Sequence, residues 1–331
     1  MERVLAGLRA AADPTRLRLL SLLSRAELTV SELTQILGQS QPRISRHLKL
    51  MCEAGLLNRF QEGSWVFYRM ADRGEAARLA KFIGETLKSD DATLARDLER
   101  LEGVRAARTE LASQYFREQA GKWHEIRALH IPEADVEDAM QDAIGEGPLG
   151  DVIDLGTGTG RVLEVLAPRA ARAVGVDMSR EMLSIARARL DKPEFRHVQV
   201  RYGDLFNLDL EPESFDLAVV HLVLHYLNDP AAALLEAARL LKPGGRLLVV
   251  DFAPHDVEFL RDSHAHRRLG FTPEEVAGWC RNAGLEVLAT RKLPPKSTDG
   301  RGELTVVLWL ARKGEGVSAF PARSRLEKGE R

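Results

Sequence analysis

The chain has 331 residues, 44% of them apolar and 29% charged, which is too long for one ordinary domain and excludes a disordered chain. Its two cysteines, Cys52 and Cys280, exclude a disulfide framework or a multi-cysteine metal site and suit a reducing cytosol. No apolar run approaches the ~18 residues of a membrane span, and no signal peptide is read at the N-terminus, so a cytoplasmic protein without a membrane partner is expected. The net charge of −2 is uneven: residues 1–70 hold ten Lys/Arg against six Asp/Glu, a surplus of +4, whereas residues 121–331 hold 28 against 33, a deficit of −5. A basic head on an acidic body predicts that only the head meets a polyanion.

In chain order, Asp13-Pro14 opens a first helix with Leu17, Leu20 and Leu23 at helical spacing. Thr29-Val30-Ser31-Glu32 is a capping box opening a second short helix that Gly38 closes. Ser40-Gln41-Pro42 opens a third, reaching about Ala54, and Leu56 to Met70 reads as a hairpin around Glu62-Gly63-Ser64. Residues 72–120, rich in Ala, Leu, Arg and Glu, predict one or two long amphipathic helices: a connector and a dimer surface. From Asp151 onward strands alternate with helices, which predicts a parallel sheet covered on both faces. The last two strands, Leu285–Arg291 and Glu303–Arg312, leave no room for a helix between them and are expected to pair antiparallel. The polar tail from Gly314 is expected to be disordered.

The third helix carries Arg43, Arg46, His47 and Lys49, with no acid between Gln39 and Lys49. Ile44, Leu48 and Met51 recur at i, i+4 and i+7 as the buried stripe, leaving Ser40, Gln41, Arg43, Ser45, Arg46, His47 and Lys49 as the candidate DNA-facing set. Gln and Arg can read base edges in a major groove, and Ser and Lys can hold phosphates. Arg59 and Arg69 flank the hairpin tip, from which they would reach the neighbouring backbone.

Residues 12–70 resemble the ArsR-type winged-helix repressors. The resemblance rests on Ala12-Asp13-Pro14-Thr15-Arg16, Thr29 to Leu33, Ser45-Arg46-His47-Leu48, Ala54-Gly55-Leu56-Leu57 and the wing ending at Tyr68. It implies a homodimer on a palindromic double-stranded operator. The chain departs from the metal-sensing branch: no Cys lies in Leu28–Leu33 and no His between Ala71 and Trp123. Soft-metal sites need such ligands in clusters, so no metal is expected. Cys52 alone reads as a small core residue.

Val152-Ile153-Asp154-Leu155-Gly156-Thr157-Gly158-Thr159-Gly160 reads as a strand running into a glycine loop and a helix. Asp177 ends the next strand, 21 residues after Gly156, where a carboxylate can accept both ribose hydroxyls. A dinucleotide fingerprint wants Gly or Ala where Arg161 stands, and Asp154 would repel a pyrophosphate. S-adenosylmethionine (SAM) carries an ammonium and a sulfonium and no phosphate, and fits that electrostatics better.

Residues 150–312 as a whole resemble the class I SAM-dependent methyltransferases. Asp154 to Gly160 looks like their first motif, Asp177 like their ribose acid, and Tyr202-Gly203-Asp204-Leu205 like their adenine-contacting motif. Ser214-Phe215-Asp216-Leu217 and Leu241-Lys242-Pro243-Gly244-Gly245-Arg246-Leu247 match their fourth strand and the turn into their fifth. The resemblance implies a seven-stranded Rossmann-like sheet with an antiparallel last strand, and SAM or S-adenosylhomocysteine (SAH) as cofactor. The candidate cofactor set is Asp154, Gly156, Thr157, Gly158, Gly160, Asp177, Met178, Gly203, Asp204, Leu205 and His221.

Methyl transfer is a direct displacement that needs positioning, plus a base if the nucleophile is protonated. His221, His225 and Tyr226, after the fourth strand, are the catalytic candidates; His255, His264 and His266 form a second group, on a segment that also reads as a solvated polar helix. Tyr115 and Trp123-His124 are candidates to fold over the cofactor.

The expected fold class is α/β: a winged helix-turn-helix over 1–72, a helical linker over 73–145, the methyltransferase domain over 146–313 and a tail over 314–331. Two functions fit. One is a regulator whose SAM or SAH occupancy sets operator affinity, with methionine or methyl-cycle genes as targets; the other is a working small-molecule methyltransferase with a self-regulating DNA-binding head.

Overall fold

Helix termini in the head follow from the chemistry of a few side chains. The computed structural model describes residues 2–62, 65–71, 74–87, 91–127, 132–264, 266–295 and 304–315; residues 63 and 64 of the hairpin turn, the Gly300 loop and the tail after Glu315 lie outside them. The chain forms two units, Met1–Ser113 with Arg187–Arg196, and Gln114–Ala186 with His197–Arg331.

In the first unit, α1 (Glu2–Ala11) precedes α2 (Pro14–Leu23). Asp13 caps α2, its carboxylate accepting the Arg16 amide at 3.1 Å, with Pro14 in the first turn. A two-residue strand β1 (Leu28–Thr29) leads into α3 (Val30–Leu37). Its capping box is complete: the Glu32 amide donates to Thr29 Oγ1 at 3.2 Å, and the Thr29 amide to Glu32 Oε2 at 2.7 Å. Gly38, at φ +64°, closes α3, and α4 (Gln41–Glu53) follows. Strands β2 (Leu57–Glu62) and β3 (Trp65–Met70) pair antiparallel, and β3 also pairs with β1. Helices α5 (Glu75–Thr86) and α6 (Ala92–Arg127) complete the head and connector.

The core of the head is wider than the expected stripe. Leu19, Leu20, Leu22 and Leu23 are buried with Leu28, Leu33, Ile36, Ile44, Leu48 and Met51, whereas Leu17 is only half-buried. Periodicity missed α1, whose Gly7 leaves room for Leu79 of α5 at 2.9 Å from where a Cβ would stand.

In the second unit, α7 (Glu133–Ile144) precedes a run of alternating elements: β4 (Gly150–Leu155), α8 (Arg161–Leu166), β5 (Ala170–Asp177), α9 (Arg180–Leu190) and β6 (Val198–Tyr202). Then come β7 (Phe215–His221), α10 (Pro230–Leu240), β8 (Leu241–Phe252), α11 (Phe259–His264), α12 (Pro273–Asn282), β9 (Leu285–Leu293) and β10 (Val306–Lys313). The seven-stranded sheet has the order β6-β5-β4-β7-β8-β10-β9, with β10 antiparallel to both β8 and β9. Helix α9 begins in the second unit and ends in the first.

The central strands are apolar on both faces: Val152, Ile153, Leu217, Ala218, Val219, Leu247, Leu248 and Val249 are fully buried. Covering helices remove both faces from water, which is why these strands read as continuous apolar runs. The order changes direction between β4 and β7, because β4 leads outward to β5 and β6 while β7 lies on its other side. In an open α/β sheet the ligand crevice opens at that place, at the carboxyl ends of the strands.

The opposite, amino-terminal edge is locked by charge. Asp216 accepts the Asp151 amide and the Lys242 ammonium, each at 2.7 Å, and Gly150, at φ +68°, is required because a Cβ there would meet Asp216 Oδ2 at 2.3 Å.

The head has its own charge lock. Arg18 on α2 donates to both oxygens of Asp97 on α6, at 2.6 and 2.7 Å, and to the Leu37 carbonyl that ends α3. Asp97 is 2% exposed and Arg18 is 18% exposed. Replacing Asp97 by Ala strands the guanidinium and should cost the head about 2–4 kcal/mol, read as a lower urea midpoint at unchanged slope. The double change R18M/D97L should recover most of that loss; equal destabilisation by both variants would refute the lock.

Candidate functional site

The glycine loop is pinned to the neighbouring strand before any ligand is considered. The Gly156 and Thr157 amides donate to the Val176 carbonyl on β5 at 2.8 and 2.9 Å. Gly156, Gly158 and Gly160 have φ of +80°, +52° and +77°, which non-glycine residues rarely adopt. A Cβ on Gly156 would strike Val223 at 2.5 Å, so the chain after β7 walls one side of the loop; a Cβ on Gly158 would meet nothing within 4 Å. The loop thus offers bare backbone to an open space. Arg161, just past it, makes two bonds to Glu137 at 2.6 and 2.7 Å and one to Glu164, so it ties α7 to α8 rather than facing a ligand.

Three expected acids stand along the carboxyl ends of β4, β5 and β6. Asp154 is 1% exposed, and among the described residues neither of its oxygens has a hydrogen-bond partner. Burial pushes its pKa up to about 7; the nearby Thr157 hydroxyl opposes this without completing a hydrogen bond, and the charge of Asp177 adds to it. Asp177 accepts the Gly158 amide and the Ser179 amide, one on each oxygen and each at 2.8 Å. Each carboxylate oxygen has two acceptor positions, so both keep one for a diol. Asp204 is exposed and accepts the Phe206 amide at 3.0 Å, while Met178 is 53% exposed, Gly203 half-buried and Leu205 buried.

On the other side of the loop, β7 ends at His221, and Leu222 takes φ +53°, a conformation costing a leucine about 1–3 kcal/mol. That kink turns Val223 onto Gly156 and leads into the turn holding His225 and Tyr226. His225 is 2% exposed, and its Nδ1 lies 2.8 Å from Asp251 Oδ1 on the adjacent strand β8. The rings of Tyr226 and His266 both sit 4.2 Å from that of His225, and Phe252 at 5.2 Å. His266 is 3% exposed, so the solvated-helix alternative does not hold at that position. His255 is half-buried and its Nδ1 accepts the Val257 amide. The side chains of Tyr115, Trp123, His124 and His264 lie outside the described residues. Asp251 was missed from the sequence, although Val249-Val250-Asp251 puts an acid at the close of an apolar run as Val176-Asp177 does.

In the head, Ser40, Gln41, Arg43, Arg46 and Lys49 are exposed along α4, Ser45 is half-buried, and Arg59 is exposed on β2. His47 is half-buried near Asp13, and burial lowers its pKa. Arg69 departs from expectation: it is 6% exposed and faces Glu27 at 3.6 Å, drawn inward by that carboxylate. Burial pushes Cys52 up to about 11, as expected of a packed thiol. Among the described residues no group of three or more His, Cys, Asp or Glu is arranged to hold a metal, and no helix is long and apolar enough to cross a membrane.

Comparison with known proteins fits both halves. The family described as "Methyltransferase domain" matches residues 153–249, and "Bacterial regulatory protein, arsR family" matches residues 13–59. A ubiquinone biosynthesis O-methyltransferase of Ralstonia nicotianae is 31% identical over 210 residues, covering 57% of this chain and 87% of that protein. The chain belongs to the SAM-dependent methyltransferases and carries an ArsR-type winged helix.

An arsenite methyltransferase of Aquipseudomonas alcaligenes is 39% identical over 128 residues, 36% of this chain and 34% of that one. A 37.1 kDa transposon protein of Streptomyces fradiae is 42% identical over 113 residues, 33% of this chain and 32% of that one. The chain thus spans about a third of the length of these two relatives. A solved SAM-dependent methyltransferase from Mesorhizobium loti aligns over 54% of this chain and 96% of its own at 21% identity, with a TM-score of 0.46.

SAM is the cofactor of this family, and the residues present fit it. Asp154 is a buried acid lacking a positive partner, Asp177 keeps two acceptor positions, and Gly158 opens onto free space.

Two expectations follow. Asp154→Asn should weaken SAM binding about tenfold or more by calorimetry, yet raise the melting temperature of the ligand-free protein at pH 8. The sign follows from a folded pKa raised above the unfolded value, so the ionised acid costs stability above pH 7 and not below 4. Wild-type SAM affinity should fall as pH drops below about 7; a flat profile would refute the ion pair.

In the head, Arg46→Ala should cost about 1–3 kcal/mol of DNA affinity and relax base preference, and Lys49→Ala should lower the salt slope by about 1. Arg69→Met should leave that slope unchanged; a lower slope would return Arg69 to the DNA-facing set.

Proposed function

We propose that this chain is an operator-binding regulator whose methyltransferase domain is catalytically competent on a small-molecule acceptor, and that occupancy by SAM or SAH sets operator affinity. Residues on α4 and β2 would hold double-stranded DNA, with Gln41, Arg43 and Arg46 toward base edges and Ser40, Lys49 and Arg59 toward phosphates. The ArsR resemblance supports a homodimer on a palindromic site. The small-molecule acceptor is supported by two relatives, whose names specify arsenite and ubiquinone biosynthesis.

One observation carries the effector reading. Helix α9 starts three residues beyond Asp177, and its last turn is counted with the head. There the Arg187 guanidinium lies 3.9 Å from the centre of the Phe67 ring on β3 and 3.9 Å from Glu27, the acid that also faces Arg69. Asp191 pairs with Arg105 of α6 at 2.8 Å. The segment that follows the ribose acid is thereby continuous with groups that seat the wing. A ligand that holds Asp177 differently in two conformations would bias both ends of one helix.

The test uses duplex DNA enriched from a random pool by the protein itself. Fluorescence anisotropy should show SAM or SAH changing its Kd about fivefold or more. Arg187→Ala should abolish that change while leaving SAM affinity intact. If neither ligand moves the Kd, the effector reading falls and the methyl-transfer reading stands alone.

A further inference from the structure

The carboxyl ends of β4, β7 and β8 are neighbours in the sheet, so the glycine loop, the His225 turn and Asp251 stand side by side. Val223, two residues before His225, is the group a Cβ on Gly156 would strike. The His–Asp pair therefore flanks the cofactor loop on the side away from Asp177. We propose that His225, positioned by Asp251, is the base that takes the proton from a hydroxyl acceptor, so that the acceptor is a weakly acidic O–H compound of the phenol or enol class. This rests on the methyl-transfer reading above and adds the substrate class.

Hydrogen bonding fixes the imidazole's direction. Asp251, fully buried, receives His225 Nδ1 at 2.8 Å, the Phe252 amide at 2.8 Å and the His225 amide at 3.4 Å. With Nδ1 as donor, Nε2 carries the free lone pair. Nε2 makes no hydrogen bond among the described residues. A base oriented through its far nitrogen by a buried carboxylate is the arrangement that activates a hydroxyl nucleophile.

The surrounding groups leave that role to His225. Tyr226, although 39% exposed, is pushed up to about 12 by desolvation and the Asp251 charge, and so holds its own proton. His255 is lowered chiefly by burial, and His266 stacks on His225. The Arg267 and Arg268 amides donate to the His225 carbonyl at 2.9 and 3.2 Å, and the Arg268 guanidinium donates to the Asn228 carbonyl at 3.3 Å, so both arginines hold the backbone of the turn. Tyr226, Phe252 and His266 surround the imidazole with flat rings, and Tyr226 is the exposed member of the group, the face on which a planar acceptor would stack.

The balance is simple. The acceptor oxygen forms its bond to the methyl carbon as the carbon–sulfur bond breaks, the electron pair staying on sulfur. The hydroxyl proton moves to Nε2, the imidazolium rests against Asp251, and the proton then leaves to water. A soft acceptor would be held best by thiolate ligands. The chain has two cysteines, and Cys280 is fully buried in α12 with its thiol pushed up to about 11.

The experiment follows labelled methyl transfer from SAM by the full chain to phenols, enols, thiols, amines and arsenite with glutathione. Transfer should go to hydroxyl compounds. His225→Gln and Asp251→Asn should each lower kcat about 100-fold or more on a protonated phenol, with SAM affinity unchanged. A nitrophenol already ionised at the assay pH needs no base, so the variants should keep wild-type rates on it. Equal losses on both phenols would mean a structural role and overturn the proposal, as would preferred transfer to arsenite or a thiol. Bound SAM with no transfer to any acceptor would instead overturn the methyl-transfer reading, and this one with it.

Discussion

A carboxylic acid that a fold buries without a partner stays neutral unless something positive arrives. Asp154 is in that position, at the end of the central strand, with both oxygens unpartnered and its pKa near 7. Holding it ionised with no cation beside it costs on the order of 4 kcal/mol, since each pKa unit is ~1.4 kcal/mol. A cationic ligand relieves that cost; an anionic one adds to it. The cofactor's charge is thus selected by an acid the sheet has already dehydrated, and the glycine loop selects its shape by leaving Gly158 facing open space.

The same residue type does different work at the two edges of the sheet. At the amino-terminal edge, Asp151 and Asp216 face Lys242, and Gly150 is needed because Asp216 fills the space beside it. Those acids close the strand starts by pairing with Lys242, Arg172 and the Asp151 amide. At the carboxyl edge, Asp177 ends β5 while Asp154 and Asp251 stand next to last in β4 and β8, and each is buried or bonded in a way that leaves capacity for something else. Parallel strands force this division, because all their carboxyl ends lie on one side and the loops there are free to vary.

Much of this was legible beforehand because local chemistry decides it. Asp13 with Pro14, the Thr29–Glu32 box and Gly38 mark helix ends in any context. The alternation of strands with helices from Asp151 onward pointed to a sheet covered on both faces, and the short gap after β9 left an antiparallel pairing as the simplest choice. What escaped notice depends on distant partners. Arg69 looks like a wing cation until Glu27, 42 residues earlier, is seen beside it. His266 looks like part of a polar surface helix until the backbone folds it onto His225. Asp251 carried a signal, an acid closing an apolar strand, but its partner sits 26 residues away in a turn set by the left-handed Leu222.

Leu222 also bears on how the two chemistries of the site are joined. Its conformation costs energy that a glycine would not, and a Leu there persists only if its surroundings hold it. The Leu222 amide donates to the Val250 carbonyl at 2.8 Å, one residue before Asp251, so the kink is fastened to the strand that carries the acid. Val223 and His225 are then placed together, one against Gly156 and the other against Asp251. A displacement of the glycine loop on ligand binding would press on Val223, and the kink offers little slack to absorb it. On the proposed reading, the base and the cofactor loop are parts of one rigid corner of the sheet. Filling the loop and aligning the imidazole would then be a single event.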